Sequence, residues 1–152
     1  MQPDATQEFS SFDVMKILDL KRERLRKWMH YEYVIPTKPA DGRGTKSIFR
    51  LIDVYNVALF KKLVDAGMYR SKAKIYMLNR PELSDYNSAK EINYVLFITG
   101  RGGYEKFITI EDKSYTMADI DEGMPREDDW NLGIVINFKN LMGEVNDAIR
   151  SL

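Results

Sequence analysis

The stretch from residue 12 to residue 36, with the sequence FDVMKILDLKRERLRKWMHYEYVIP, constrains the fold more than any other part of the chain. Apolar residues recur in it at the i, i+3, i+4 spacing of one helix face, first over residues 14–18 and again over residues 25–29. Leu20 falls between the two runs and is expected to be buried at a tight joint. The stretch therefore predicts two short helices joined by a turn.

The second predicted helix carries cations and a tyrosine on the side opposite its apolar residues. These residues are Lys21, Arg22, Arg24, Arg26, Lys27 and Tyr31. A helix that is held down by Leu25 and Trp28 and presents such a row has the chemistry that suits a DNA groove. The alternative is a solvated helix face, which is the commoner meaning of a single helix rich in lysine and arginine.

The chain after this helix predicts a small basic hairpin. Residues 34–36 place two β-branched side chains before a proline, so the chain leaves the helix extended. Gly42 and Gly44 suit a hairpin tip, and Ile48 with Phe49 supplies the returning strand. The segment from residue 37 to residue 47 is called the wing below. Its cations are Arg43 and Lys46.

A longer apolar helix is predicted over residues 51–66, with Gly67 as its stop. Its apolar surface is wide enough to pack on the helix pair and on a further element. Ser71 is expected to cap another helix, which runs to Asn79 and has Arg70 at its start.

Residues 9–78 resemble the DNA-binding domain of MerR-type transcription regulators. The matching features are Leu25-Arg26-Lys27-Trp28, Val34-Ile35-Pro36, the glycine-rich basic wing, and the helix pair split by Gly67. Three features depart from the family pattern. They are Lys21 in place of a serine or threonine N-cap, Lys27-Trp28 in place of paired tyrosines, and the wing sequence Gly-Arg-Gly-Thr-Lys-Ser-Ile-Phe.

The resemblance implies a winged helix-turn-helix that binds double-stranded DNA as a homodimer and regulates transcription by distorting promoter DNA, with RNA polymerase as a further partner. The side chains expected to contact DNA are Lys21, Arg22, Arg24, Arg26, Lys27, Tyr31, Arg43, Lys46 and Arg70. The commonest members continue into a helix that forms a coiled coil between subunits. Residues 82–90 show no heptads, so another mode of dimerisation is expected.

The periodicity changes from helical to extended after residue 91. We interpret residues 81–91 as a linker between a DNA-binding domain, residues 1–80, and a small α+β domain, residues 92–152. Strands are predicted over residues 92–99, 104–110 and 132–138, and a closing helix near residues 141–152. The expected fold class is α+β: a mainly α winged helix-turn-helix followed by an antiparallel sheet and a C-terminal helix.

The net charge of zero conceals opposite charges in the two halves. Residues 1–80 carry 16 lysines and arginines against 9 acidic residues, and residues 81–152 carry 7 against 14. A basic half suits a polyanionic partner, whereas an acidic half faces solvent, a ligand or a protein. The aromatic residues of the acidic half are interpreted as core, with a pocket for a small-molecule effector as the alternative. They are Tyr94, Phe97, Tyr104, Phe107, Tyr115, Trp130 and Phe138.

Composition argues against several classes of protein. The chain has no cysteine, which excludes a disulfide framework, a zinc finger and a thiol sensor, and a single histidine, His30, cannot build a metal site. No apolar run approaches the ~18–20 residues of a membrane span, and residues 1–8 form no signal peptide. We therefore expect a cytoplasmic protein without a cofactor. The first ten residues are expected to be frayed, with Phe9 as a candidate first anchor.

Two other functions stay open on the sequence. A DNA-binding accessory factor without an effector, such as a phage, excision or partition protein, would use the same domain. A carboxylate-metal nuclease would use the acidic residues between positions 119 and 129, namely Asp119, Asp121, Glu122, Glu127, Asp128 and Asp129. Their spacing misses the calcium-loop pattern, so a solvated loop is the favoured interpretation and no enzyme is predicted.

Overall fold

The computed structural model of the protein describes residues 3–123 and 130–152 and has the α+β fold class that the sequence predicts. The elements of the first half are β1 (Glu8–Ser10), α1 (Ser11–Ile17), α2 (Arg22–His30), β2 (Ile48–Arg50), α3 (Leu51–Asp65) and α4 (Arg70–Leu78). A 3-10 helix (Pro81–Ser84) and α5 (Tyr86–Ala89) follow. The elements of the second half are β3 (Tyr94–Gly100), β4 (Glu105–Ile110), α6 (Met117–Glu122), β5 (Trp130–Asn137) and α7 (Phe138–Arg150).

Helices α1 and α2 form the predicted pair. The side chain of Ser10 accepts a hydrogen bond from the backbone of Asp13 at 3.2 Å, and the Asp13 carboxylate accepts one from the backbone of Ser10 at 2.8 Å. This reciprocal cap fixes the start of α1. Helix α2 begins after Lys21, whose side chain makes no capping hydrogen bond. Leu20 is buried at the joint, as expected.

The returning strand of the wing, β2, was predicted to form a hairpin with the chain that follows α2, but its main partner is β1. Strand β2 pairs antiparallel with β1, so that Phe49 lies opposite Phe9, and both side chains are buried. An isolated bridge between Lys38 and Ile48 closes the wing against the chain that follows α2. The first ten residues were expected to be frayed apart from the candidate anchor Phe9, whereas residues 8–10 form a strand because they complete a two-stranded sheet over the core, with Phe9 buried in it.

Helix α3 lies at the centre of the molecule and is buried nearly all round. Helix α7 covers the side that the helix pair leaves open, and the Tyr55 hydroxyl donates a 2.6 Å hydrogen bond to the buried Asn146 side chain. Helix α3 ends at the predicted stop, where Gly67 has a φ of +105°. Helix α4 begins after Tyr69, so Ser71 lies inside its first turn and does not cap it.

The segment predicted as a linker, residues 81–91, contains two short helices and packs on α3. Leu83 and Ala89 are buried, and the Asn56 amide donates a 2.9 Å hydrogen bond to the Leu83 carbonyl. The sequence does not predict this packing, because a segment that buries isolated residues shows no helical or strand periodicity. One connected apolar core runs from Phe9 in β1 to Ile149 in α7.

The second half is built on a three-stranded antiparallel sheet in the order β4-β3-β5. One face of β3 presents Val95 and Phe97 to the main core, and the other presents Leu96 and Ile98 to a smaller cluster with Ile120 of α6. Part of the acidic segment, predicted as a loop, is thus a helix.

Helix α6 begins at Met117, after the N-cap Thr116, whose backbone amide donates a 2.6 Å hydrogen bond to the Asp119 carboxylate. The remaining acidic residues of the segment lie outside the described residues; they are Glu127, Asp128 and Asp129. Among the described residues, no helix has the length and apolar character needed to cross a membrane.

Candidate nucleic-acid interface

Helix α2 is fixed to the core through Leu25 and Trp28, which are both 1% exposed. The Trp28 ring meets Phe60 of α3 edge-on, with 4.9 Å between ring centroids. Burial of this face directs most of the predicted contact residues of α2 to solvent. They are Lys21, Arg22, Arg26, Lys27 and Tyr31.

Arg24 is the exception on this helix. Its guanidinium lies 2.5 Å from the Asp65 carboxylate of α3 and 4.6 Å from the Trp28 ring centroid. Lys61 reaches the same carboxylate at 3.1 Å. Burial acts to raise the pKa of Asp65, but the hydrogen bonds from Arg24 and Lys61 outweigh it and lower that pKa below its usual range. Arg24 thus joins α2 to α3, where it was predicted to reach outward.

The structure brings together cations from two separate segments around one open cleft. Arg22 and Arg26 of α2 line one wall, and Lys46 of the wing lines the other, in a cleft of about 240 Å³. Phe12, from the first turn of α1, lines the same cleft, and the Lys46 ammonium lies 5.1 Å from its ring centroid. The phenylalanine is 47% exposed, so the cleft is at once cationic and apolar.

Arg26 has one ion-pair partner among the described residues, Glu23, at 3.0 Å on the same helix. Both side chains are about two-thirds exposed, at 66% and 68%. An exposed pair of this kind is worth little and is readily exchanged for another anion. On its other side Arg26 lines a second concavity of about 280 Å³ with Lys27, His30 and Tyr31.

The wing tip presents Arg43 between two glycines of positive φ, +96° at Gly42 and +79° at Gly44. Thr45 fixes this turn, because its hydroxyl accepts a 2.7 Å hydrogen bond from the Asp41 amide and donates a 2.8 Å one to the Gly42 carbonyl. The exposed side chain of Arg43 is thus carried on an ordered loop.

Arg70 is exposed at the first residue of α4 and is not among the residues that line the cleft. Lys21 is exposed at the start of α2. Both positions are helix N-termini, where backbone amides and a cation favour an anion.

Four residues that shape this surface were not predicted from the sequence. Phe12 and Thr45 line the cleft, and Glu23 and Asp65 hold the arginines. The Lys61–Asp65 spacing of four residues signals an ion pair within a helix. Nothing in the sequence signals that Arg24, 41 residues away, joins the same carboxylate.

The aromatic residues of the second half were interpreted as core, with a ligand pocket as the alternative, and in the structure they pack into or around the two apolar clusters. Phe97, Phe107 and Phe138 are buried, and the other aromatic residues surround the smaller cluster around Ile120. The described residues contain no group of three or more acidic or histidine side chains placed to hold a metal ion. A cleft of about 410 Å³, lined in part by Tyr86, lies between α3, α5 and α7.

Comparison with known proteins gives no assignment for the chain. It matches no protein-family profile, and no curated protein gives a significant match.

Proposed function

We propose that the protein is a sequence-specific, double-stranded DNA-binding regulator of transcription, built on a MerR-like winged helix-turn-helix and acting as a homodimer on promoter DNA. The observation that carries the proposal is the cleft shared by Arg22, Arg26 and Lys46. It joins the exposed face of a core-anchored helix to a basic wing. A single cationic helix is commonly only a solvated face, whereas cations converging from two segments form a surface suited to a phosphate backbone.

In this proposal α2 enters the major groove. Arg22 and Arg26 read base edges, because an arginine fork matches the two acceptors of guanine. Lys27 and Tyr31 contact the same groove or its walls. Arg24 holds the helix on α3 through Asp65. For that reason, the proposal does not include Arg24 among the residues that contact DNA.

The wing supplies the flanking contacts. Arg43 and Lys46 reach the adjacent phosphates or the minor groove, and Lys21 and Arg70 bind backbone phosphates at helix starts. These contacts position the protein, whereas the arginines of α2 select the sequence. The acidic second half is repelled by DNA and stays outside the duplex.

The test is binding of the purified protein to the DNA upstream of its own coding sequence and to random duplex, at two salt concentrations. We expect tighter binding to the upstream DNA by a factor of ~10³ or more, with affinity falling steeply as salt rises. Weak, equally salt-sensitive binding to both duplexes would contradict a sequence reader.

Arg26→Ala is the sharpest single substitution for this test. Because Arg26 is exposed and its partner is an exposed Glu23, the variant should keep its free energy of unfolding within about 0.5 kcal/mol of the parent. It should lose about 1–3 kcal/mol of specific DNA binding. The matched control is Lys62→Ala, which removes an exposed cation from α3 and should leave specificity unchanged.

A further inference from the structure

The two edges of the three-stranded sheet differ in how they are protected. The free edge of β4 is covered by α4 and the chain just after it: Lys72 and Tyr76 of α4 hold Glu105, and the Arg80 guanidinium, two residues past the helix, donates to the Phe107 carbonyl. Charged side chains and a covering helix are the usual protection of a sheet edge against further pairing.

Among the described residues, strand β5 has neither protection. Its eight residues, Trp130–Asn137, contain no charge and no proline. Leu132 and Val135 are 54% and 58% exposed, and Ile134 and Ile136 are half-buried. A long, apolar, uncharged edge strand is a template for another strand.

The hydrogen-bond pattern shows which backbone groups are available. Phe138 donates to the Asn93 carbonyl at 2.8 Å, and hydrogen-bonded pairs alternate along an antiparallel ladder. The backbone amides and carbonyls of residues 132, 134 and 136 therefore bond to β3. Those of Gly133 and Val135 point outward from the free edge of β5. Within the described part of the chain, no hydrogen bond reaches Gly133 or Val135 from outside the ladder.

We propose that β5 pairs antiparallel with β5 of a second copy of this chain, which joins the two sheets into one of six strands. The inference rests on the proposed function and supplies the dimer that it requires, in place of the coiled coil for which residues 82–90 show no heptads.

The outward backbone groups allow a two-fold axis at Gly133, Ile134 or Val135, and the side chains favour Ile134. An axis through Ile134 pairs Gly133 with Val135 of the copy and overlaps nearly the whole strand, whereas an axis through Gly133 would set the polar Asn131 opposite Val135. The register about Ile134 sets Leu132 opposite Ile136 of the copy, and Ile134 opposite itself. Each pair is apolar, as cross-strand neighbours on a buried face prefer.

Charge at the two ends of the strand favours the same partner. Asp121 lies at the start of β5, where its carboxylate accepts a 2.5 Å hydrogen bond from the Trp130 indole. Lys139 lies just beyond the end of the strand, on the Lys90 carbonyl at 2.6 Å. Antiparallel pairing brings the acidic start of one strand beside the basic end of the other, twice in each dimer.

The first test is the mass of the intact protein in solution, by sedimentation equilibrium, for the parent chain and for Val135→Lys. The parent should be a dimer and Val135→Lys a monomer of unchanged circular dichroism, because a lysine on the edge blocks pairing. The matched control is Ile75→Lys on α4, where a β-branched residue has the same 58% exposure, and it should remain a dimer. A monomeric parent, or a dimeric Val135→Lys, would overturn the inference.

The register has its own test, because the chain contains no cysteine. Residues facing each other in a non-hydrogen-bonded antiparallel pair have Cα atoms about 4.5 Å apart, which a disulfide can span. Ile134→Cys should therefore cross-link to its copy under mild oxidation, whereas Ile75→Cys should not. Equal cross-linking of the two variants, or none with Ile134→Cys, would refute the register.

The outcomes separate this inference from the proposed function. A monomer that still selects its upstream DNA would refute the β5 interface and leave the DNA-binding proposal standing. A dimer joined through β5 that binds all duplexes equally would support the β5 interface and refute the proposal of sequence-specific DNA binding.

Discussion

At the scale of single residues, Arg24 and Arg26 face different surroundings although they are two positions apart. Arg24 is held between Asp65 and the Trp28 ring, whereas Arg26 meets an exposed glutamate and solvent. The difference comes from the helical turn: position 24 is directed toward α3 and position 26 toward the wing. Two arginines on one helix thus have different structural roles: Arg24 ties α2 to α3, and Arg26 remains exposed.

Asp65→Asn tests the structural role of the first arginine. The lowered pKa of Asp65 means that its ion pairs stabilise the fold fully above the unfolded pKa of about 3.9, and that this contribution is lost as pH falls through the folded pKa. The variant should be less stable than the parent at neutral pH, and the difference should shrink below about pH 4. Denaturant unfolding measured from pH 7 down to pH 3 checks this.

The control for this prediction is Asp41→Asn. Asp41 is an exposed wing carboxylate for which the described residues provide no ion-pair partner. A gap between Asp65→Asn and the parent that stays constant with pH would show that lost packing, and not lost charge, destabilises the variant.

At the scale of elements, helix α3 depends on Gly67, which ends it, as well as on its apolar residues. Gly67 adopts a φ of +105°, a conformation that L side chains rarely adopt, and a Cβ built there meets nothing within 4 Å. The whole cost of a side chain at this position is therefore backbone strain.

Gly67→Ala should lower the free energy of unfolding by about 1–2 kcal/mol. Gly143 offers the opposite case, since it lies inside α7, has no positive φ, and also has open space where a Cβ would lie. Gly143→Ala should raise the free energy of unfolding by about 0.5–1 kcal/mol. Thermal unfolding of both variants decides the sign, and equal shifts would contradict the strain at Gly67.

The sequence predicts elements in proportion to their periodicity. Helix α3, the helix pair and the strands of the second half carry many apolar residues at one spacing, so they were predicted to within a few residues. Strand β1 has three residues and exists because β2 lies opposite it, about 40 positions along the chain. Helix α6 was not predicted, because the acidic composition of residues 117–129 favoured a loop.

At the scale of the whole molecule, the candidate surface is predictable in its residue types and less so in its arrangement. The cationic row of α2 follows from helical spacing alone. The convergence of Lys46 on that row depends on how the wing folds back, and Phe12 enters the cleft through the position of α1. Such long-range placement has no local signal in the sequence.

The hydrogen bond between Tyr55 and Asn146 joins the two halves, and Tyr55→Phe tests it. Removing the hydroxyl leaves the oxygen of Asn146, which is only 7% exposed, without its partner, so the variant should lose about 1–3 kcal/mol of stability. Tyr69→Phe, at a 79% exposed position, should be neutral. Equal stability of the two variants would show that the hydrogen bond contributes nothing net.

Tyr55 also makes the stability of the protein depend on pH under alkaline conditions. Burial raises the pKa of Tyr55 to about 12, and burial with the Glu105 contact raises that of Tyr76 to about 12. The stability that Tyr55 contributes is present below its unfolded pKa of about 10 and is lost as pH rises toward 12. Tyr55→Phe should therefore lose less stability than the parent over this interval. Because Tyr76 also has a raised pKa, both proteins should still lose some stability as pH rises over this interval.

The covering of α3 by α7 determines when the protein can fold during its synthesis. Helix α7 begins more than seventy residues after α3 ends, so the central helix leaves the ribosome long before the surface that buries it exists. Contacts between such distant parts of a chain slow folding, because a long loop must close first. Until α7 arrives, the side of α3 around Tyr55 is an exposed apolar surface on the nascent chain, which is the kind of surface that chaperones bind. The basic helix and its wing are translated before α7, yet the core beneath them is completed only when α7 is in place.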